Sequence, residues 1–232
     1  MAQYFTDFGN YTTGVKPSDW TVTGDDSATD SDFIVRDEAG ATGGKYVELV
    51  DNNDFNVRFL TWALAGTFQD GEILIRSRNV QAFNTNIQIA QARRDNALGD
   101  TDSGVSAQQR SQDIRINEDG NSLGSVSDKA GNNEWFWTRF SFQGTALKVR
   151  TWVSGAEPVL WDLEVTATAT LTGAVGFGAA NSKRQFDVDV FSVGTAGDSA
   201  PSGPVATGPE TPINPSITNL LATSARLNWE QG

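Results

Sequence analysis

Apolar and polar residues alternate with a period of two through most of the chain before residue 195. The segments GEILIRSR (71–78), TALKVRTWV (145–153) and LWDLEVTAT (160–168) place apolar residues at every second position. This is the period of a half-buried β-strand. Helical periodicity is nearly absent, and in the one ambiguous segment, IQIAQARRD, the alternation of Ile87 and Ile89 favours a strand. The pattern predicts an all-β, antiparallel β-sandwich.

Glycine, asparagine and aspartate separate these strands. Gln143-Gly144 and Asp119-Gly120 stand where tight hairpin turns are expected. Because the neighbouring positions are apolar, Trp135, Trp137 and Trp161 are predicted to lie in the core. The acid pairs Asp162/Glu164 and Asp187/Asp189 are predicted to be solvated charges on an outer face.

The composition changes sharply near residue 195. Five of the seven prolines lie between Pro201 and Pro215, in a stretch without an apolar period. We therefore divide the chain into a sandwich (1–195), an extended and solvated Pro/Gly-rich linker (196–212) and the start of a further unit (213–232).

Composition and charge exclude several classes of function. The 232 residues include neither cysteine nor histidine, which excludes a disulfide scaffold, a thiolate metal site and a Ser-His-Asp triad. Acidic residues outnumber basic ones 29 to 17, a formal charge of −12. This acidity argues against nucleic acid as a partner, and no apolar stretch is long enough to cross a membrane. The first fourteen residues also lack the features of a signal peptide.

The second half of the sandwich carries a more specific pattern. A Trp-containing strand is followed by a Gly144 turn, a strand from Lys148 to Trp152, a loop with Pro158 and Trp161, and a Gly-rich strand. A closing strand runs from Asp187 to Val193. This order resembles laminin-G-like and concanavalin-A-like jelly rolls. The resemblance covers residues 1–195, is strongest after residue 112, and implies a jelly-roll fold.

The last twenty residues resemble the first two strands of a fibronectin type III domain. The matching positions are Pro215, Ile217, Leu220, Thr223, Ser224, Leu227 and Trp229. Such a domain needs roughly 90–100 residues to close its core. An isolated apolar strand pair is marginal in water, so three arrangements are open: a longer parent protein, pairing with a neighbouring subunit, or folding back on the chain's own sandwich. We expect subunit pairing, with Leu227 and Trp229 at the interface.

The jelly-roll resemblance also allows a test for glycosidase chemistry. Related hydrolases carry Glu-x-Asp-x-x-Glu on a central strand, and the nearest segment here begins at Glu72 but has Leu74 and Ser77 in place of the second and third acids. Hydrolysis of a glycoside needs two carboxyl groups. We therefore expect no enzymatic activity.

A sugar-binding platform is the second possibility. Trp152 falls on the polar side of its strand together with Lys148 and Arg150, and Arg76 and Arg78 are expected on the same side of the sandwich. An aromatic ring with charged neighbours can stack on a sugar and bond its hydroxyl groups. The alternative is that Trp152 packs beneath a loop and arginine stems cover it.

A structural calcium ion is the third possibility. Sandwiches of the family often hold calcium near the first and last strands, and the acids that match this position are Asp7 and Asp189. Aspartates in loops more commonly stabilise turns. No other cofactor is expected.

These observations favour a non-catalytic structural or adhesive protein. Lectin-like sandwiches joined to fibronectin-like domains are characteristic of bacteriophage capsid decorations, head fibres and tail appendages. The resemblance implies a virion-surface location, with other virion proteins, copies of the chain itself or a host-surface glycan as partners. The alternative is a secreted, extracellular bacterial protein that binds or degrades polysaccharide, cut from a longer chain. A third interpretation is a scaffold protein that binds only other proteins.

Overall fold

The protein is a sandwich of two antiparallel β-sheets, as predicted from the alternation. The structure, a computed structural model, describes residues 2–24, 28–50, 57–80, 87–94, 103–110, 113–179 and 185–203. Within these residues the chain forms fifteen strands and two short 3-10 helices, Asp30–Asp32 and Ala63–Ala65. None of these helices is long and apolar enough to cross a membrane.

The first sheet contains the first and last strands of the sandwich. In spatial order its strands are β13 (Leu163–Thr166), β12 (Ala146–Trp152), β11 (Phe136–Gln143), β6 (Gly71–Asn79), β15 (Phe186–Thr195), β4 (Lys45–Leu49) and β3 (Phe33–Asp37). Strand β1 (Gln3–Thr6) pairs with the later part of β15. The β15–β6 pairing shifts its register between Val188 and Val190, which marks a β-bulge.

The second sheet packs against the first. In spatial order its strands are β10 (Asn121–Ser127), β9 (Asp113–Glu118), β8 (Val105–Arg110), β7 (Ile87–Arg94), β14 (Ala174–Ala179), β5 (Arg58–Trp62) and β2 (Trp20–Gly24). The segment starting at Ile87 is a strand, as its alternation predicted.

The core consists of the apolar residues that face the space between the sheets. At its centre Trp20 stacks on Trp62 with ring centroids 5.1 Å apart, and Phe177 and Phe191 pack around them. All four side chains are at most 4% exposed. Removing this much apolar surface from water is the main force that holds the two sheets together.

Both predicted hairpin turns are present. Asp119 (φ 47°) and Gly120 (φ 75°) connect β9 to β10, and positive φ at both central positions is what a tight type I′ hairpin requires. Gly144, at φ 53°, lies in the turn between β11 and β12.

The described part of the predicted linker is packed against the sandwich. Strand β15 ends at Thr195, and the chain then turns back so that Ala200 is only 3% exposed. Ala200 thus departs from the prediction of a solvated linker, whereas the other described residues of this stretch are exposed or half-buried and the linker stays a prediction. The fibronectin-like segment, with Leu227 and Trp229, lies outside the described residues.

Candidate functional site

The predicted binding residues all lie on the outer face of the first sheet. Residues directly opposite each other on paired strands share a face. Trp152 is opposite Trp137, which is opposite Arg76, and the next pair along β12 and β11 is Arg150 and Arg139. We call this outer face the charged face.

Three tryptophans that were predicted to be core residues lie outside the main core. Trp135, Trp137 and Trp161 are partly exposed, and none belongs to the main core. On β11 the core side chains are instead Phe136, Phe140 and Phe142. The prediction for Trp135 and Trp137 was wrong because it treated the neighbouring positions on their side of the strand as apolar, although positions 139 and 141 there are polar.

Aromatic rings and guanidinium groups alternate along the charged face. The Arg76 guanidinium lies 5.9 Å from the Trp137 ring centroid and 5.1 Å from that of Trp135. Arg78 continues the series, at 4.4 Å from Trp135 and 5.1 Å from Tyr46. Each contact adds a cation–π attraction and holds the arginine stem flat against a ring.

Two fully buried aspartates neutralise these arginines. Asp187 accepts a 2.7 Å hydrogen bond from Arg78 Nε, and Asp189 accepts a 2.5 Å bond from Arg76 Nη1 and two bonds from Thr42. Burial raises the pKa of Asp187 to about 6, against the lowering effect of Arg78. Burial also raises the pKa of Asp189. The prediction that this acid pair is solvated is wrong, because β6 places an arginine beside each carboxylate.

A pocket of about 270 Å³ opens on the charged face. Its lining residues are Leu74, Trp137, Trp152, Gly155, Glu157 and Ser202. The Trp137 and Trp152 rings are nearly parallel, with an interplanar angle of 10° and centroids 6.0 Å apart. Trp152 is 8% exposed and packs with Leu74 and Ala200 in a small cluster separate from the main core.

The acid at the pocket, Glu157, is held by two arginines. Arg139 donates from Nε to Oε1 (2.5 Å) and from Nη2 to Oε2 (2.8 Å), and Arg150 forms an ion pair with Oε1. Arg150 also donates to the carbonyl of Val159 (3.1 Å) and stacks at 4.3 Å from the ring centroid of Trp161. The loop after β12 is thereby fixed beside the pocket.

Residues 198–202, here called the C-terminal strap, form the other side of the pocket. Ala200 donates its backbone N–H to Glu72 (3.0 Å) and accepts a bond from Arg139 (3.0 Å). Ser192 donates to the carbonyl of Pro201 (2.7 Å), and Gln3 donates to that of Ser199 (2.9 Å). Four strands, β6, β11, β15 and β1, therefore hold the strap in place.

The predicted binding residues separate into two groups. Trp152 lines the pocket and Arg150 orients its acid, whereas Arg76 and Arg78 belong to the aromatic–arginine series beside it. Lys148 pairs with Glu164 on β13, at 2.8 Å. The Trp152 ring packs in one cluster with Leu74 and Ala200 and also lines the pocket, so its role as a binding platform stays a prediction.

Of the six lining residues only Trp152 was predicted, and sequence reasoning missed the other five, including Gly155. Trp137 could have been found from the polar positions that follow it on alternate sites of β11. Leu74 was considered only as a substitution for an acid. Glu157 and Ser202 lie in segments without periodicity, so no pattern indicated that they meet.

Asp7 and Asp189 do not fit a calcium site. The Asp7 carboxylate accepts a bond from the N–H of Gly9, a local turn contact, and Asp189 is bonded to Arg76, whose positive charge would repel a cation. In the described parts of the chain, no group of three or more His, Cys, Asp or Glu side chains could hold a metal ion.

Comparison with known proteins identifies the fold. No protein-family model matches the sequence, and no curated protein matches it. Among solved structures, lectin II from Ulex europaeus superimposes with a TM-score of 0.52 at 9% identity, covering 83% of this chain and 97% of the lectin. The Ca2+-bound exoplasmic/lumenal domain of VIP36 gives 0.51 at 11%, covering 84% and 90%.

A third similar structure is a larger protein. A mutant of the GH43 protein BlXynB from Bacillus licheniformis gives a TM-score of 0.52 at 15% identity, covering 83% of this chain but 39% of that one. At such identities the similarity concerns the fold alone. The chain has the fold of lectin-like, concanavalin-A-like jelly-roll sandwiches, as its sequence resemblance implied.

Proposed function

We propose that the sandwich is a carbohydrate-binding module whose site is the pocket on the charged face. The observation that carries this proposal is the pair of parallel Trp137 and Trp152 rings beside a carboxylate held by two guanidinium groups. An apolar surface with a few oriented polar groups is typical of small-ligand sites. The C–H face of a sugar ring suits an indole ring, and its hydroxyl groups suit a fixed acceptor.

Glu157 can accept one further hydrogen bond from a ligand. An ionised carboxylate offers about four acceptor positions, and the three contacts from Arg139 and Arg150 leave one of them. Because both oxygens are held, this acceptor is preorganised for a ligand hydroxyl. Such preorganisation lowers the entropic cost of binding.

The proposed module is non-catalytic. Glu72, the acid that aligns with glycosidase motifs, forms an ion pair with Arg139 and accepts the N–H of Ala200. It is 9% exposed. A carboxylate occupied in this way has little access to a glycosidic oxygen, and Leu74 stands where a second acid would be needed. Release of reducing ends from a bound polysaccharide would contradict this part of the proposal.

The biological setting stays a prediction. A virion-surface adhesion protein of a bacteriophage and a secreted polysaccharide-binding protein both accommodate such a module. The GH43 neighbour fits the secreted alternative as well as the lectin neighbours fit adhesion. Structural calcium likewise stays a prediction. Capsid, portal or tail genes beside this gene would favour the virion.

The direct test is glycan-array binding of the full chain followed by titration of the best oligosaccharide. We expect Trp137→Ala to weaken that binding by more than tenfold, because it removes an indole ring from the pocket. Trp135→Ala is the matched control, since Trp135 directly precedes β11, contacts Arg76, Arg78 and Tyr46, and does not line the pocket.

Two results would refute the proposed site. One is the absence of binding to any glycan on the array. The other is equal loss of affinity in Trp135→Ala and Trp137→Ala, which would place the ligand elsewhere on the charged face. Thermal unfolding of each variant establishes that the sandwich remains folded.

A further inference from the structure

Two segments outside the strands border the pocket, the strap and the loop after β12. In the first sheet β12, β11, β6 and β15 follow one another, and the strap is bonded to residues of β11, β6 and β15. The loop that carries Gly155 and Glu157 follows β12 and also lines the pocket. Arg139 donates to the carbonyl of Ala200 in the strap and to the carboxylate of Glu157 in the loop, so both segments are fixed against the sheet and limit the space between them.

The size of the pocket gives a second limit. Its volume of about 270 Å³ lies just below the ~300–1,000 Å³ of sites that enclose drug-sized ligands. A space of this size suits one enclosed sugar ring, and further units would have to lie outside the pocket. Leu74, the innermost apolar residue of the lining, lies beneath the strap in contact with Ala200.

We propose that this pocket binds the terminal sugar unit of a glycan and that the C-terminal strap imposes this limit. The inference rests on the proposed carbohydrate-binding function. Without the strap, the apolar floor would continue over Leu74 towards β15, and the pocket would become a groove able to hold internal units of a chain.

The first experiment tests whether binding requires the terminal sugar unit of the ligand. An oligosaccharide that binds on the array is titrated before and after an exoglycosidase removes its terminal unit. Free glucose, galactose, mannose, N-acetylglucosamine, rhamnose and xylose serve as competitors. We expect trimming to lower the affinity at least tenfold and one monosaccharide to displace the ligand completely. Unchanged affinity after trimming, or affinity that rises with each internal unit, would overturn terminal recognition while leaving carbohydrate binding intact.

The second experiment loosens the strap in the full chain. The double variant Gln3→Ala/Ser192→Ala removes two strap bonds and leaves every pocket-lining side chain in place. We expect the trimmed oligosaccharide to regain at least threefold in affinity while thermal unfolding shifts by only a few degrees. If the double variant discriminates between the two ligands as the unmodified chain does, the strap does not set the limit. If neither protein binds any glycan, the proposed function fails first and this inference with it.

Discussion

The two sheets bury polar side chains on their outer faces in different ways. The charged face of the first sheet pairs full charges, with Asp187 on Arg78, Asp189 on Arg76 and Glu72 on Arg139. The second sheet has a neutral row, in which Thr61, Gly176, Gln91, Ser106 and Asn117 are consecutive partners across five strands. We call this set the amide row.

The side chains of the amide row are small or uncharged, and they are nevertheless buried. Thr61, Gln91, Ser106 and Asn117 are each at most 5% exposed. Asn117 Nδ2 donates a 2.7 Å hydrogen bond to Gln108 Oε1 on the adjacent strand. The comparison shows that one sandwich can pair buried polar side chains either by charge neutralisation or by amide hydrogen bonds. The two solutions differ in their strength, in their pH dependence and in what they expose to a ligand.

The largest expected effect is on the charged face. Arg139→Met should destabilise the protein by about 3–5 kcal/mol, because Glu72 would remain buried without its counter-charge. Urea unfolding at neutral pH measures this loss. The double variant Glu72→Met/Arg139→Met should recover most of it, since an apolar pair of similar volume removes the stranded charge. If Arg139→Met were as stable as the unmodified protein, the Glu72–Arg139 ion pair would make no net contribution to stability.

Strand β11 shows how much of this face was predictable. The alternation of EWFWTRFSF correctly places a strand there, and its two sides differ clearly in character. The inner side presents Phe136, Phe140 and Phe142, whereas the outer side continues from Trp137 to Arg139. The alternation along β11 therefore predicts that Trp137 lies on the outer side. The apolar character of tryptophan led to the wrong assignment.

Other features depend on which strands become neighbours, and a single sequence does not specify that. Asp187 and Asp189 look like exposed charges in their own strand, but their partners lie 109 and 113 residues away on β6. The packing of the strap was equally impossible to predict from the sequence. Ala200 lies in a Pro/Gly-rich stretch without a period, and only the position of Glu72 and Arg139 in space explains its burial.

The pH dependence of stability should distinguish the two faces next. Asp187 has a folded pKa of about 6, above the ~3.9 of an unfolded chain, so the folded state binds its proton more tightly. Its contribution to stability is therefore greatest below about pH 4 and is lost as pH rises through 6. Relative to Asp187→Asn, which does not titrate, the unmodified protein should lose about 2 kcal/mol between pH 4 and pH 7, most of the change expected at ~1.4 kcal/mol per pKa unit.

Urea unfolding of both proteins across that range provides the measurement. An Asn117→Leu variant serves as a control, since the amide row has no carboxylate and should leave the slope between pH 4 and 7 unchanged. A relative gain in stability with rising pH would instead mean that Arg78 lowers the Asp187 pKa below its unfolded value, reversing the balance between burial and pairing.

The smallest expected effect is on the amide row itself. Asn117→Leu removes the donor to Gln108 Oε1 and should cost about 1–3 kcal/mol, because a buried acceptor loses its partner. The double variant Asn117→Leu/Gln108→Met should recover part of this cost, since replacing both partners by apolar groups is often nearly neutral. The coupling energy from this cycle should be smaller than that from Glu72 and Arg139, and it should not change with salt. A coupling as large as the ionic one, or one that falls as salt is added, would contradict the distinction between the two faces, because neutral amides have no charge for salt to screen.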